Sequence, residues 1–262
     1  MNVPTYASAD GLVPYLLSMP PSSPPNGLNL LIRSMSRTDR GLLEPHAKRV
    51  SLASGQVLAA PHDRIDRAYF PEGGVVSLFD VLATGDRVEV GIIGREGVCG
   101  WPLLLGCPTS PHEIKVAIGA TALEIPSAAL QEACDRSQTL QALLLRFVQA
   151  LITQLGRTIG SHLAGPVERR LARWLLMNHD RLHGDEIELT HRQIGATLGV
   201  RRASVTDALH RLEGERVIRS RRGRVVITGR ERLRELAGEA YGFAEAEYAR
   251  LICPFGKCGR AY

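Results

Sequence analysis

The sequence predicts an α+β protein with an N-terminal antiparallel β domain, one long helix, and a C-terminal pair of short helices followed by a β-hairpin. The hydrophobic periodicity is that of short strands between about residues 49 and 125, and that of a helix from Ser127 onward. Residues 190–227 then read as helix, glycine, helix and hairpin. The 262 residues suffice for two modest domains. With 44% hydrophobic and 23% charged residues, the composition excludes a fibrous or wholly disordered chain.

The composition and the N-terminal sequence also indicate where in the cell the protein is found. The longest charge-free run, residues 11–32, is interrupted by prolines and excludes a transmembrane helix. The N-terminus lacks the pattern of an export signal. Five cysteines are an odd number in a chain large enough to fold without disulfides. We therefore expect a cytoplasmic protein with reduced thiols and no membrane partner.

The positive charge is concentrated in the C-terminal part of the chain. Residues 1–162 carry 13 Lys and Arg against 14 acidic residues, whereas residues 163–262 carry 19 against 13. Residues 190–234 alone hold 12 Arg and four acidic residues, a net charge of +8. Such a concentrated basic region is typical of a surface that meets phosphates.

The N-terminal part changes periodicity twice. Residues 1–26 are rich in proline without apolar periodicity, so we expect a disordered arm. Residues 28–43 are amphipathic and indicate one or two short helices. The strands that follow favour a small antiparallel sandwich or barrel, with a hairpin turn at Thr84-Gly85-Asp86. The predicted strands are Arg49–Leu52, Gln56–Ala59, Arg67–Phe70, Gly74–Leu82, Arg87–Ile93 and Glu113–Ile125.

The long helix carries apolar residues on more than one face. One stripe at spacings of three and four consists of Leu140, Leu144, Phe147, Leu151, Leu155 and Ile159. Further apolar positions include Leu143, Leu145, Val148 and Ile152. The helix either packs on the β domain alone or also packs against its copy in a second chain as a coiled coil. We favour the second interpretation, which predicts a homodimer.

A helix-turn-helix pattern is the most specific motif in the sequence. Gly165-Pro166 ends the long helix and starts another that reaches about His179. Thr190 and Gln193 have capping-box spacing, and Gly199 separates the capped helix from the next one. In a DNA-binding helix-turn-helix the second helix enters the major groove. The alternative is an ordinary helical hairpin with a solvated basic face.

A basic hairpin argues against that alternative. Residues 217–227 alternate apolar and polar residues around Arg221-Arg222-Gly223, which predicts a β-hairpin with a cationic tip. Such a wing contacts the phosphate backbone and adds affinity but little sequence information.

These motifs resemble the Crp/Fnr family of transcription regulators over roughly residues 28–240. The strongest match is THRQIGATLGVRRASVTDALHRLEGERVI, and AYFPEGGVVSLFDVLATGDRVEVGIIGREGVCG is a second, less specific one. The resemblance implies a cyclic-nucleotide-binding-like β-roll of the double-stranded β-helix type, a dimerisation helix and a winged helix-turn-helix. The expected divisions are a disordered arm at 1–26, the sensor β-roll at 27–136, the dimerisation helix at 137–164, the DNA-binding domain at 165–240 and a tail at 241–262.

The resemblance also implies which residues meet DNA. Arg202 matches the arginine that contacts bases and backbone, Ala203 stands where Glu is frequent, and Asp207 stands where an Arg is known. Because Glu pairs with cytosine and Arg with guanine, the usual half-site of the family is not expected here. The candidate DNA-binding residues are Thr190, Arg192, Arg201, Arg202, Ala203, Ser204, Thr206, Asp207, Arg211, Arg221 and Arg222.

The residues that hold a cyclic nucleotide in the family are not matched. A Gly-Glu pair and an Arg bind the ribose and the phosphate in such members, but here Trp101 follows Gly100 and no Arg lies within residues 110–115. A buried phosphate without its cation is poorly compensated. We expect that cAMP and cGMP are not tight ligands. Gly100, Trp101, His112 and Lys115 are candidate contacts for an unknown effector, or the domain has kept only a structural role.

No cofactor, metal site or catalytic residue is predicted. The first cysteine is Cys99, so an N-terminal iron–sulfur cluster is not supported, and Cys253 and Cys258 are two short of a zinc site. Nucleophile, P-loop, HExxH and dinucleotide motifs are missing, so we expect no enzyme. The predicted function is a homodimeric regulator of two-fold symmetric operators in double-stranded DNA, with RNA polymerase as a candidate partner. The alternative is a small-molecule-binding regulatory module without operator recognition.

Overall fold

The computed structural model describes residues 29–163 and 165–257, so the predicted arm at 1–26 lies outside the described residues. The helices are α1 (Leu30–Ser34), α2 (Arg37–Leu43), α3 (Ser127–Arg136), α4 (Gln138–Leu163), α5 (Val167–Arg181), α6 (His191–Leu198), α7 (Arg202–Gly214), α8 (Arg230–Ala237) and α9 (Phe243–Leu251). The strands are β1 (Lys48–Leu52), β2 (Val57–Ala59), β3 (Arg67–Pro71), β4 (Val75–Val81), β5 (Arg87–Ile93), β6 (Glu113–Ile118), β7 (Ala120–Pro126), β8 (Glu186–Ile187), β9 (Ile218–Arg221) and β10 (Arg224–Ile227).

Strands β1 to β7 form two antiparallel sheets that share one core, which we call the β domain together with α1 to α3. The strand orders are β1-β7-β3 and β2-β6-β4-β5. Phe70 and Leu78, one from each sheet, are both fully buried in that core. The predicted hairpin at Thr84-Gly85-Asp86 is confirmed, because the Leu82 N–H donates to the Asp86 carbonyl oxygen at 2.9 Å between β4 and β5.

The last strand predicted for the β domain is divided into two strands in the structure. The segment Glu113–Ile125 was expected to be continuous, but β6 ends at Ile118 and β7 begins at Ala120. β6 pairs with β2 and β4, whereas β7 pairs with β1 and β3. The chain therefore passes from one sheet to the other at Gly119. A single glycine in an apolar run does not predict such a change of sheet.

Helix α4 packs against the β domain along only part of its circumference. Leu140, Leu144 and Leu151 are buried, as the apolar stripe predicts. Ile159 was expected in the same stripe but is 55% exposed, because it lies on the side of the helix that carries Ile152, which is 53% exposed. The helix thus leaves a second apolar face open.

The second core lies in α5 to α8 and the three-stranded sheet β8-β10-β9, which we call the helix-turn-helix domain. Leu171, Ile194, Val205, Leu209 and Leu233 are fully buried there. Ile194, Val205 and Leu209 lie on the inward faces of α6 and α7, so both helices are amphipathic.

The two domains meet along α5. The Trp174 indole Nε1 donates to the Glu89 carboxylate at 2.9 Å, and the Arg181 guanidinium lies 2.7 Å from the Glu96 carboxylate. Both acids belong to the β domain, and both are buried. The helix-turn-helix domain is therefore held against the β domain of its own chain. In the described ranges, no helix is both long enough and apolar enough to cross a membrane.

Candidate nucleic-acid interface

Helix α6 begins with the capping box that the sequence predicts. The Thr190 hydroxyl accepts from the Gln193 backbone N–H at 3.3 Å, and the Gln193 side-chain oxygen accepts from the Thr190 backbone N–H at 2.8 Å. The cap satisfies backbone donors that a helix N-terminus leaves without partners. Arg192, in the first turn, is exposed beside this cap.

Two glycines set the angle between α6 and α7. Gly199 ends α6 with φ of +62°, in the left-handed region that side-chain-bearing residues rarely adopt. Gly195 faces the next turn so closely that a Cβ atom there would lie 2.9 Å from the Val200 carbonyl oxygen. The short helix-turn-helix therefore depends on glycine at both positions.

Helix α7 presents its N-terminal end to solvent. Arg201 is its N-cap residue, and Arg202, Ala203 and Asp207 are exposed on its outer face. Ser204 is half-buried. Side chains at this end of the second helix are the ones that reach base edges when such a helix enters the major groove.

The hairpin formed by β9 and β10 places two of the predicted arginines at its tip. Arg221 pairs with Arg224 at the end of the strands, and Arg222 lies in the turn with Gly223. Arg221 and Arg222 are exposed. β8 adds a third strand through its pairing with β10. The predicted wing is therefore a small sheet rather than a lone hairpin.

Ion pairs divide the arginines of this region into two groups. Arg211 pairs with Glu168 of α5, and Arg224 pairs with Glu186 of β8 at 3.3 Å. Arg230 is engaged with the buried Asp180 at 2.6 Å. By contrast, within the part of the chain that the structure describes, no carboxylate lies within 4.0 Å of five of the candidates. These are Arg192, Arg201, Arg202, Arg221 and Arg222.

Arg211 thus differs from the other candidates, since it lies far along α7 and contacts the first helix of its own domain. His191 was missed by the sequence analysis. Its Nδ1 lies 3.2 Å from the Thr206 hydroxyl, and its Nε2 lies 3.4 Å from the Ser220 hydroxyl. It therefore joins α6, α7 and the wing at one point. Its place directly after the Thr190 cap was the only signal in the sequence.

The four candidate effector contacts lie around the segment that joins β5 to β6. Gly100 and Trp101 stand at the start of a short 3-10 helix, Trp101–Leu105. His112 immediately precedes β6, and Lys115 lies within it. The Nδ1 atom of His112 is buried without a hydrogen-bond partner among the described residues, and burial lowers the pKa of its imidazole. Burial therefore disfavours the cationic form of His112 that a phosphate would need.

A cleft of about 290 Å³ borders the 3-10 helix that begins at Trp101. Leu103, Leu104, Leu130 and Cys134 form much of its wall, and none of the four candidates contributes to it. Burial raises the pKa of the Cys134 thiol to about 11, which makes it unreactive near neutrality. In residues 29–163 and 165–257, no three His, Cys, Asp or Glu side chains converge as a metal site requires.

Two family models match this chain, each over one of its domains. The cyclic nucleotide-binding domain matches residues 49–137, and the Crp-like helix-turn-helix domain matches residues 169–236. By its domains the chain is of the Crp/Fnr type. The predicted resemblance and the predicted fold class are confirmed. No curated protein sequence matches this Crp/Fnr-type chain.

Solved structures share this fold at low sequence identity. A CRP-family transcriptional regulator from Thermus thermophilus is 18% identical with a TM-score of 0.61, over 74% of this chain and 98% of that one. FixK2 from Bradyrhizobium japonicum is 18% identical with a TM-score of 0.62, over 74% and 99%. The c-di-GMP-responsive regulator CLP from Xanthomonas campestris is 16% identical with a TM-score of 0.58, over 74% and 100%. The Crp/Fnr-type chain shares their fold.

Proposed function

We propose that this Crp/Fnr-type chain is a homodimeric regulator that binds a two-fold symmetric site in double-stranded DNA. The observation that carries the proposal is the exposed basic end of α7, which packs beside the capped α6. Among the described residues, no carboxylate pairs with Arg201 or Arg202 there. The family consists of transcriptional regulators rather than enzymes, and the helix-turn-helix face agrees with that role.

The two basic groups have different tasks in this proposal. Arg202 and Asp207 reach base edges, because they occupy the outer face at the N-terminal end of α7, with the half-buried Ser204 between them in the sequence. Arg221 and Arg222 contact phosphates, because they lie at the tip of the wing. Arg211 strengthens its own domain through Glu168 instead of meeting bases.

The open face of α4 supports dimerisation. Its exposed residues follow alternating spacings of three and four, the heptad pattern of a two-stranded coiled coil. Leu145, Ile152, Ile159 and Leu163 are 37%, 53%, 55% and 84% exposed in the single chain. The full series is Ala142, Leu145, Gln149, Ile152, Gly156, Ile159 and Leu163. A second copy of α4 is the partner that buries these side chains.

The β domain responds to an effector other than a cyclic nucleotide. The resemblance aligns Trp101 with the ribose-binding glutamate, and burial disfavours the cationic form of His112. The carbon side chains of Phe70, Leu78, Ile114 and Val116 fill the interior between the sheets. An effector would act by binding one orientation of the helix-turn-helix domain better than another.

The test is selection of genomic DNA fragments on the purified protein at two salt concentrations. Enrichment of a two-fold symmetric sequence that survives the higher salt concentration is the expected result. Recovery without any enriched sequence, repeated after metabolite extracts are added, would contradict the proposal. It would favour a regulatory module that binds a small molecule without recognising an operator.

A further inference from the structure

Residues 241–257, which we call the C-terminal strap, lie beyond the end of the matched helix-turn-helix domain at residue 236. The strap consists of Tyr241 and Gly242, helix α9 and the irregular residues 252–257. It runs back over the junction between the two domains, and α9 packs along α4.

One side of the strap is anchored in the β domain. Tyr248 of α9 is only 3% exposed and belongs to the core of that domain. Its hydroxyl donates to the Glu96 carbonyl oxygen at 2.8 Å. The ring of Phe255 packs on the Tyr248 ring with centroids 5.2 Å apart. Leu251 also packs against the core of the β domain.

The other side of the strap holds the end of α5 in the helix-turn-helix domain. The fully buried carboxylate of Asp180 accepts from the Tyr241 hydroxyl at 2.5 Å and from the Lys257 backbone N–H at 3.1 Å. The Lys257 ammonium also lies 3.2 Å from the Asp185 carboxylate. Both ends of the strap therefore bind the same short stretch of the helix-turn-helix domain.

Between these anchors the strap covers the ion pair that joins the two domains. Arg181 and Glu96 are 1% and 4% exposed, and the Arg181 guanidinium lies 5.1 Å from the centre of the Phe255 ring. A buried ion pair is favourable only when its geometry and its remaining hydrogen bonds are complete. Arg181 meets this condition, because it also donates to the Met177 carbonyl oxygen at 2.7 Å. If the strap left, water would reach the pair and weaken it.

We propose that the C-terminal strap locks the helix-turn-helix domain in one orientation on its β domain, and so fixes the separation of the two α7 helices in the dimer. This inference rests on the proposed function for its DNA consequence, but its structural part stands without it. Helix α4 ends at Leu163 and α5 begins at Val167, so a released domain stays tied to α4 and turns near the start of α5.

A dimer with locked domains should bind only operators whose two half-sites have one particular spacing. Two recognition helices at a fixed distance fit half-sites about one helical turn apart, roughly 34 Å, and misfit other spacings. A dimer with loosened domains adapts to several spacings while each helix still reads its half-site. Loss of the strap is thus expected to remove discrimination between spacings without removing half-site recognition.

The experiment compares the intact chain with a chain that ends at Ala240, with Phe255→Ala and with Arg250→Ala. Phe255→Ala removes the ring that packs over the Arg181–Glu96 ion pair but keeps the buried Tyr248. It therefore tests the same contact if the shortened chain does not fold. Arg250→Ala is the matched control, because Arg250 lies on the exposed side of α9 and pairs only with Glu247 of the same helix among the described residues.

Trypsin cleavage at the exposed Arg169, next to the connection, reports domain release without DNA. We expect cleavage roughly tenfold faster in the two strap variants and unchanged in Arg250→Ala, since local opening controls access of the protease. Equal rates in all four proteins would overturn the lock, whatever the DNA results.

The second measurement uses duplexes that carry the selected site with one to four base pairs inserted between its halves. The intact chain and Arg250→Ala should bind the unaltered spacing best, and the strap variants should bind all spacings within roughly threefold. Faster cleavage with undiminished discrimination would overturn the role in spacing. If the intact chain binds no DNA, the proposed function fails, while the cleavage rates still decide the lock.

Discussion

The Trp174 indole donates a hydrogen bond of 2.9 Å to the carboxylate of Glu89, across the junction of the two domains. Glu89 lies on β5 of the β domain, and Trp174 lies on α5, the first helix of the helix-turn-helix domain. The second carboxylate oxygen accepts from the Ser77 hydroxyl at 2.5 Å. A titratable group thus lies at the contact that orients one domain on the other.

The Glu89 contact predicts a pH-dependent stability. Burial raises the pKa of the Glu89 carboxyl from 4.5 to about 7, and the hydrogen bonds from Ser77 and Trp174 offset only part of that effect. Because the folded protein holds this proton more tightly than the unfolded chain, its contribution to stability is full below pH 4.5 and is lost as the pH rises towards 7. The loss amounts to at most about 3 kcal/mol.

Glu89→Gln should remove this dependence. Denaturant unfolding between about pH 4.5 and pH 7.5 measures the difference in unfolding free energy between wild type and variant, which should shift steadily in favour of the variant as the pH rises. Glu132→Gln is the control, because Glu132 is 66% exposed on α3. If the wild type and Glu89→Gln change in parallel with pH, the buried carboxyl does not titrate in this range.

The packing of Gly94 on Arg181 predicts a sensitive point in the same junction. A Cβ atom at Gly94 would lie 2.7 Å from Cγ and 2.8 Å from Cβ of Arg181, and these atoms are fixed by the buried pair with Glu96. Gly94→Ala should lower the free energy of unfolding by about 1–3 kcal/mol, as overpacking typically does.

Gly41→Ala in α2 is its matched control, since a Cβ there meets no atom of the described residues within 4 Å. It should leave the stability unchanged or raise it slightly, because alanine favours a helix. Thermal denaturation measures both variants. A Gly94→Ala protein as stable as wild type would show that the two domains separate readily at this contact.

Local sequence signals predicted the helix-turn-helix well, but contacts between residues far apart in the sequence could not be predicted. The Thr190 cap, Gly199 and the alternation around Gly223 depend on neighbours a few residues away, and they fixed α6, α7 and the wing. Glu96 and Arg181 read as ordinary charges, since 85 residues separate the members of this buried pair. Likewise, nothing local marks the C-terminal strap, whose partners lie in α4, α5 and the β domain.

The helix face that the sequence misplaced also matters for dimerisation. Period alone put Ile159 in the buried stripe, because apolar residues on two faces of one helix fit several stripes equally well. The structure separates the faces, and the open one carries Ile152 and Ile159 at heptad spacing. A charge on this open face is a direct test of the dimer.

Ile152→Asp should convert the dimer to a monomer, because two carboxylates would be buried opposite each other at the centre of the coiled coil. Sedimentation equilibrium measures the mass of the assembly. Leu105→Asp is the matched control: Leu105 is 55% exposed, close to the 53% of Ile152, but lies outside α4. If only Leu105→Asp dissociates the protein, the dimer is built on another surface.

The prediction that cAMP and cGMP are not tight ligands is tested by measuring the Tm with and without each nucleotide. A ligand present at 100 times its Kd stabilises a folded protein by about 2.7 kcal/mol. The resemblance aligns Trp101 with the ribose-binding glutamate, and burial lowers the pKa of His112, so we expect millimolar cAMP or cGMP to leave the Tm unchanged. A Crp/Fnr protein that carries the Gly-Glu pair and the arginine serves as the positive control. A concentration-dependent rise in Tm would show that the chain binds the phosphate in another way.

The exposed arginines make separable predictions about DNA. Arg202→Ala should lower the discrimination between the selected site and random DNA by about 1–3 kcal/mol, because a base contact carries sequence information. Arg222→Ala should weaken binding to both DNAs alike and reduce the slope of log K against log salt concentration by about one unit, because a phosphate contact releases a counterion.

Arg232→Ala is the control for both variants, since Arg232 lies on α8 and is engaged with Glu215 at 3.0 Å and with Glu235 at 2.8 Å. Fluorescence anisotropy titrations at several salt concentrations yield the affinity and the slope for each protein. If Arg202→Ala and Arg222→Ala lose the same factor on both DNAs, α7 does not read bases. The region would then bind DNA through charge alone, and a basic surface without sequence readout could not direct a dimer to an operator.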